Sequence, residues 1–383
     1  MSENTIARYS FPTDIRFGVG ARSLLPEILT SAGVSRPLLV TDAGLAKLPV
    51  VGEIKERLSK GKLQTEVFSG VVGNPVLSQV TAGVAAFRAH QADGIVGFGG
   101  GAALDVAKAI ALMVNHPGNL FDYEDDLPGA RPFDQPIPYI VALPTTAGTG
   151  SEVGRSAVIS DDQTHVKKII FSPRLLAKVV LADPSLTVGL PAPITAATGL
   201  DALTHNVEAF LAKANHPICD GIALEGIRLS AMYLERAVKN GSDIEARGGM
   251  LMSSMMGAIA FQKGLGVVHS CAHALGTVCD THHGLANGVM IDHALRFNVE
   301  VSETRFIRIC DTINLGNPSA GAFLDWLGRL KSDVSIPAGL SGLGVGADKI
   351  ARLSDAAIAD ACHGNNPRPC TREDFEKIFQ SAL

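Results

Sequence analysis

Two textures alternate along the first half of this chain. Short strand-like runs, continuously apolar in places, recur at residues 37–41 (PLLVT), 64–68, 94–98 (GIVGF) and 139–143 (YIVAL). Runs of that kind predict strands covered on both faces, as in a parallel sheet. Between them, residues 45–58, 77–90 and 102–114 carry apolar positions at helical spacing. Two further β-rich runs follow at 153–160 and 178–181. Strand and helix in alternation predict βαβ units.

After Asp183-Pro184 the pattern changes. Pro191 and Pro193 punctuate a turn, and amphipathic stretches then dominate, at 194–212, 219–239, 244–261, 269–279, 286–297 and several shorter segments. The glycine-rich residues 339–346 read as a loop between helices. The expectation is an α/β N-terminal domain over 1–187 followed by an all-α C-terminal domain over 188–383.

Composition narrows the class. A chain of 383 residues is too long for one ordinary core, which agrees with two domains. The net charge of −5 is modest and no block of like charge stands out. That argues against nucleic-acid binding, which needs clustered Lys and Arg to neutralise phosphate. One Trp and four Tyr also leave few platforms for base stacking. No charged-then-apolar leader opens the chain, and no run of ~18 apolar residues predicts a membrane span. The six cysteines form no Cys-x-x-Cys pair and all fall in the second half, which reads as free thiols in a reducing cytoplasm.

Candidate chemistry gathers at the strand ends. The run at 94–98 leads into Gly99-Gly100-Gly101 and then a helix carrying Asp105 and Lys108. Glycines at a helix start let backbone N–H groups approach a pyrophosphate, and the helix dipole favours the anion. The triplet alone is equally a tight turn, and it lacks the G-x-G-x-x-G spacing. A second strand end, residues 144–152 (PTTAGTGSE), crowds Thr145, Thr146, Thr149 and small glycines where a nucleotide would be wrapped. Asp42, closing another strand, is placed to accept from a ribose 2′-OH and to repel a 2′-phosphate, favouring NAD over NADP; more often such an Asp only caps a turn.

In the helical half the histidines cluster. Asp201 and His205 stand i, i+4 on one helix face, as do His269 and His273, with His282-His283 shortly after. Carboxylate plus imidazoles suits Fe²⁺ or Zn²⁺. Spacing alone does not choose four ligands from this set. His90, His116, His165, His216 and His363 read as ordinary core or surface histidines.

With these segments in view, the chain resembles the iron-containing (group III) alcohol dehydrogenase family nearly end to end. The likeness runs through Thr41-Asp42, Gly73-Asn74-Pro75, 99–108, 144–152, 198–205 (TGLDALTH), 269–276, His283-Gly284 and Asn366-Pro367-Arg368. It implies an N-terminal dinucleotide-binding domain, a metal held by Asp201, His205, His269 and His283 in the cleft between the domains, and a dimer or larger homo-oligomer. It places His273 beside nicotinamide and substrate, and matches Asn74, Gly100, Gly101, Thr145, Thr146 and Lys167 to cofactor contacts. One departure is Ala102-Ala103, where the family often has a serine first.

The implied reaction interconverts a small alcohol and its aldehyde with NAD and a divalent metal, Fe²⁺ or Zn²⁺, and His273 relays the proton. Arg155 and Lys263 fall near the expected pocket and suggest an aldehyde with an anionic tail. The text at 220–224 (DGIAL) and 261–266 (FQKGLG) resembles the 4-hydroxybutyrate dehydrogenase branch, which implies 4-hydroxybutyrate and succinate semialdehyde. A short-chain alcohol or diol is the competitor within the family. A dehydroquinate-synthase-like lyase and a non-catalytic metal-binding protein are the rivals outside it. Net NADH formation from an alcohol excludes the first; absence of NADH binding revives the second.

Overall fold

The runs at 37–41, 94–98, 139–143 and 178–181 form the interior of one parallel sheet, and the run at 64–68 lies at its edge. The structure, a computed structural model, describes residues 11 and 13–383. In chain order the first elements are β1 (Asp14–Phe17), α1 (Leu25–Ser31), β2 (Pro37–Asp42), α2 (Pro49–Lys60), β3 (Glu66–Val71), α3 (Leu77–His90), β4 (Gly94–Gly99) and α4 (Gly101–Met113). After these come β5 (Tyr139–Pro144), β6 (Ser156–Ser160), β7 (Lys167–Phe171) and β8 (Val179–Ala182). Six of the strands form a sheet ordered β1-β8-β5-β4-β2-β3, parallel throughout. Every residue of β4 and β8 is buried, as expected of strands covered on both faces.

Two strands escape the apolar-run pattern. Edge strand β1 is mostly exposed and carries Asp14 and Arg16; it joins the sheet through backbone pairing with β8. Strand β7 (KKIIF) pairs antiparallel with β6 as a separate hairpin, so the β-rich run at 153–160 is one arm of a ribbon outside the sheet.

Strand order reverses around β2 and β4. The chain goes from β2 to β3 on one side, then to β4, β5 and β8 on the other. In open α/β sheets such a reversal opens a crevice at the carboxyl ends of the strands. β4 and β5 end level, with Gly99 opposite Pro144, and the Thr145 N–H donates to the Gly99 carbonyl at 3.0 Å. Their two loops therefore emerge side by side.

The remaining chain is helical: α5 (Ala192–Leu211), α6 (Pro217–Lys239), α7 (Ile244–Ala260), α8 (Val267–Cys279), α9 (His283–Arg296), α10 (Val299–Thr312), α11 (Ala320–Asp333), α12 (Ile350–Ala359) and α13 (Arg372–Ser381). α5, α6 and α7 pack together, and α8 packs on α9 and α12. Residues 340–343, inside the predicted glycine-rich loop, form a short 3₁₀ turn. All six cysteines are free. Among the described residues no single helix is long and apolar enough to cross a membrane.

Phe11–Thr146 with Ser151–Thr187 make one compact unit, and Ala147–Gly150 with Val188–Leu383 make the other. The four-residue segment packs with the helices through glycine. A Cβ at Gly150, where φ is +64°, would lie 2.3 Å from Ala258 Cβ and 2.7 Å from the Ser254 carbonyl oxygen.

Candidate active site

Asp201 and His205, one turn apart on α5, meet His269 from α8 and His283 from α9. One potential ligand atom from each lies within 4.8 Å of all the others. Asp201 Oδ1 is 4.0 Å from His205 Nε2, 3.9 Å from His269 Nε2 and 3.4 Å from His283 Nε2. Donors about 2.1 Å from a tetrahedral ion lie about 3.4 Å apart. The spacings are therefore those of groups sharing a cation more than of groups bonded to one another. Asp201, His205 and His269 are buried and His283 is half-buried. Burial pushes the His205 imidazole down to about 4, against the pull of Asp201, so its ring is neutral and a lone pair is available. The donor set fits a divalent transition ion.

Two further side chains surround the cluster. Asn287, one turn beyond His283 on α9, donates from Nδ2 to Asp201 Oδ1 at 2.7 Å. Glu208, on α5, lies with Oε2 2.5 Å from His269 Nδ1, and it accepts from the Val268 and His269 backbone N–H groups at 2.7 and 3.2 Å. Burial pushes Glu208 up to about 7, opposed by the N–H groups it accepts. Both are legible once α5 and α9 are known to be helices, because Glu208 is i+7 from Asp201 and Asn287 is i+4 from His283.

At the sheet's carboxyl ends, Gly99 (φ +151°) turns the chain into α4. A Cβ on Gly100 would come within 3.3 Å of the Thr146 hydroxyl, so the glycine lets the two loops approach closely. Thr145 is buried, and Thr146 and Thr149 are half-buried. Asp42 Oδ1 accepts from the Gly44 and Leu45 N–H groups at 2.9 and 2.8 Å, capping the turn after β2. Its Oδ2 sits 3.5 Å from where a Gly99 Cβ would be, beside the glycine turn. Asn74 is exposed in the turn after β3, and Lys167 is half-buried at the start of β7.

Against this geometry the comparisons with known proteins agree. The model for "iron-containing alcohol dehydrogenase" matches residues 12–184, and that for the C-terminal part of the Fe-containing alcohol dehydrogenase family matches 195–383. The chain belongs to the iron-containing alcohol dehydrogenase family. It is 39% identical to a 4-hydroxybutyrate dehydrogenase of Cupriavidus necator, over 97% of this chain and 98% of that one. A crystal structure of a 1,3-propanediol oxidoreductase is similar with a TM-score of 0.93 at 37% identity, covering 99% of this chain and 100% of the other. A sulfoacetaldehyde reductase of Bifidobacterium kashiwanohense, solved in complex with NAD⁺, has a TM-score of 0.91 at 29% identity, with 99% of each chain covered.

Three expected contacts are otherwise engaged in this iron-type dehydrogenase. Asp105 is buried and uses both oxygens internally, accepting from Ser151 Oγ at 2.6 Å and from the Val158 N–H at 3.0 Å. Lys108 completes that knot, donating to Ser151 Oγ at 2.7 Å and to the Ser156 carbonyl at 2.8 Å. Asp105 thus pins the end of the loop after β5 to β6. Lys263 also has partners within the chain. Its side chain is fully buried, its ammonium 2.5 Å from Asp220 Oδ1 and 2.8 Å from the Phe210 carbonyl, so its charge is neutralised inside the helical unit. The 220–224 and 261–266 segments therefore encode a structural ion pair. Arg155 stacks its guanidinium over the Phe171 ring at 5.4 Å, on the β6–β7 hairpin.

His273 lies beside the cluster, its ring stacked on that of His283 with centroids 5.3 Å apart. Its Nδ1 is 2.7 Å from Asp360 Oδ2, and Asp360 Oδ1 accepts from Ser270 Oγ at 2.8 Å and the Cys362 N–H at 2.9 Å. Burial opposes ionisation of Asp360, yet the hydrogen bonds from His273, Cys362 and Ser270 hold its carboxyl well below the usual range. His282 caps the start of α9 through the Leu285 N–H.

Proposed function

We propose that this chain is an NAD-dependent, metal-dependent dehydrogenase interconverting a primary alcohol and its aldehyde. The convergence of Asp201 Oδ1 with three histidine Nε2 atoms within 4.8 Å carries the reading. Fe²⁺ at that site, or Zn²⁺ with the same ligands, would supply a Lewis acid for the substrate oxygen. With a divalent ion bound, the Asp201 carboxylate would leave the site a net charge of about +1, since imidazole ligands add none. The glycine turn at Gly99–Gly101 and the threonines after β5 hold the dinucleotide, with Asn74 and Lys167 as further contacts and Asp42 favouring NAD over NADP. NAD bound there would supply the hydride acceptor for alcohol oxidation, leaving the chain's own residues to move the hydroxyl proton toward solvent. His273, held by Asp360, carries that proton.

The substrate we favour is 4-hydroxybutyrate with succinate semialdehyde, supported by the Cupriavidus relative. A short diol is the second reading, favoured by the 1,3-propanediol oxidoreductase structure. The test is a panel of aldehydes, with NADH and with NADPH, on enzyme loaded with Fe²⁺ or Zn²⁺. We expect succinate semialdehyde with NADH to give the highest kcat/KM. Higher kcat/KM with 3-hydroxypropanal selects the diol reading, and no NADH oxidation with any aldehyde removes the dehydrogenase reading.

A further inference from the structure

The Glu208 carboxylate touches two things that are usually held separately. Helix α8 begins at Val267, and the residue before it, Gly266, has no side chain to cap the first turn. The N–H groups of that turn on Val268 and His269, which have no acceptor within the helix, go instead to Glu208 from α5, at 2.7 and 3.2 Å. A Cβ at Gly266 would fall 2.8 Å from Glu208 Oε1, so glycine there is what admits the carboxylate. The same carboxylate reaches the His269 side chain, with Oε2 2.5 Å from Nδ1. Nδ1 is then the donor, and the lone pair is left on Nε2, the atom that faces Asp201.

We propose that Glu208 is a positioning residue of the metal centre: one buried carboxylate starts helix α8 and fixes His269 as the Nδ1–H tautomer, coupling ligand geometry to the helix that carries it. The inference rests on the metal reading of the four ligands above. Carboxylate–histidine–metal arrangements of this kind are worth about 10–100-fold in metal affinity. Glutamine in place of Glu208 keeps the shape but loses the charge and turns half of the group into a donor.

The experiment compares the full-length parent, Glu208→Gln, Glu208→Ala and, as a ligand-deletion control, His269→Ala. Co²⁺ is titrated against a competing chelator, and the visible Co²⁺ absorption and far-UV circular dichroism are recorded. We expect Glu208→Gln to keep its helical spectrum while Co²⁺ affinity falls about 10–100-fold and the visible bands shift. Glu208→Ala should lose at least as much. Affinity within twofold of the parent, with unchanged bands, overturns the proposal. Long-range ¹H–¹⁵N correlation on the unmutated protein gives an independent reading: a proton on His269 Nδ1 supports the proposal, and one on Nε2 refutes it. If the parent binds no Co²⁺, the metal reading falls and takes this inference with it. If the parent binds and Glu208→Gln matches it, only the role of Glu208 is lost.

Discussion

Replacing Lys263 by alanine separates a structural cation from a substrate-binding one. The ammonium is buried, with Asp220 and the Phe210 carbonyl as partners. Removing one member of a buried ion pair costs about 3–5 kcal/mol, because the other charge stays behind in a low-dielectric setting. Here Asp220 keeps a second partner, Arg305 Nη1 at 3.3 Å from Oδ2, so the cost should fall at the lower end, about 3 kcal/mol. For a cooperative unit of 150–250 residues each kcal/mol moves Tm by roughly 2–4 °C, giving a loss of about 6–12 °C. Differential scanning calorimetry checks this, alongside kcat/KM for a carboxylate-bearing and a neutral aldehyde. The ratio of the two specificity constants should not change. The double variant Lys263→Met, Asp220→Leu should recover most of the lost Tm, since an apolar pair replaces a buried ionic one with little net cost. An unchanged Tm in Lys263→Ala, together with a tenfold fall in preference for the charged aldehyde, would return Lys263 to the substrate pocket.

Glu152 is buried beside Lys108, and burial pushes its carboxyl from 4.5 up to about 7 in spite of that neighbour. Between those two values the folded chain holds a proton that the unfolded chain releases, so stability falls as pH rises through that window. Glu152→Gln should remove this component, leaving the variant more stable relative to the parent at pH 8 than at pH 5 in urea unfolding; parallel pH profiles would contradict it. Gly150→Ala places a Cβ against Ala258 and the Ser254 carbonyl at a positive φ, so the segment 147–150 must shift. NADH affinity by fluorescence titration should drop tenfold or more with circular dichroism unchanged, and parent-like affinity would show that this segment does not shape the cofactor site.

How far the sequence spoke for itself depended on the range of the interaction. Strands β2, β4, β5 and β8 announced themselves because burial on both faces demands apolar residues in succession. Strand β1 is partnered on one side only, so its composition records little of its pairing. Helix α3 was legible to the residue, from Leu77 to His90, whereas α9 starts earlier than its apolar spacing suggests, at His283, because the preceding His282 caps it. The candidate pair Asp201 and His205 could be read as i, i+4 on one helix. The partnership of His273 with Asp360 could not, since the two meet only through the packing of α8 on α12. The ion pair of Lys263 was hidden for the same reason: its charge is visible in the text, but its mate Asp220 lies on α6.

The four candidate ligand atoms come from three helices, α5, α8 and α9. An ion seated there acts as a staple across chain segments that the unfolded polypeptide has no means of gathering. Its binding energy then counts toward folding, and the helical unit would hold together for longer in a metal-replete solution than in one containing EDTA. Shelf life and metal occupancy would rise and fall together.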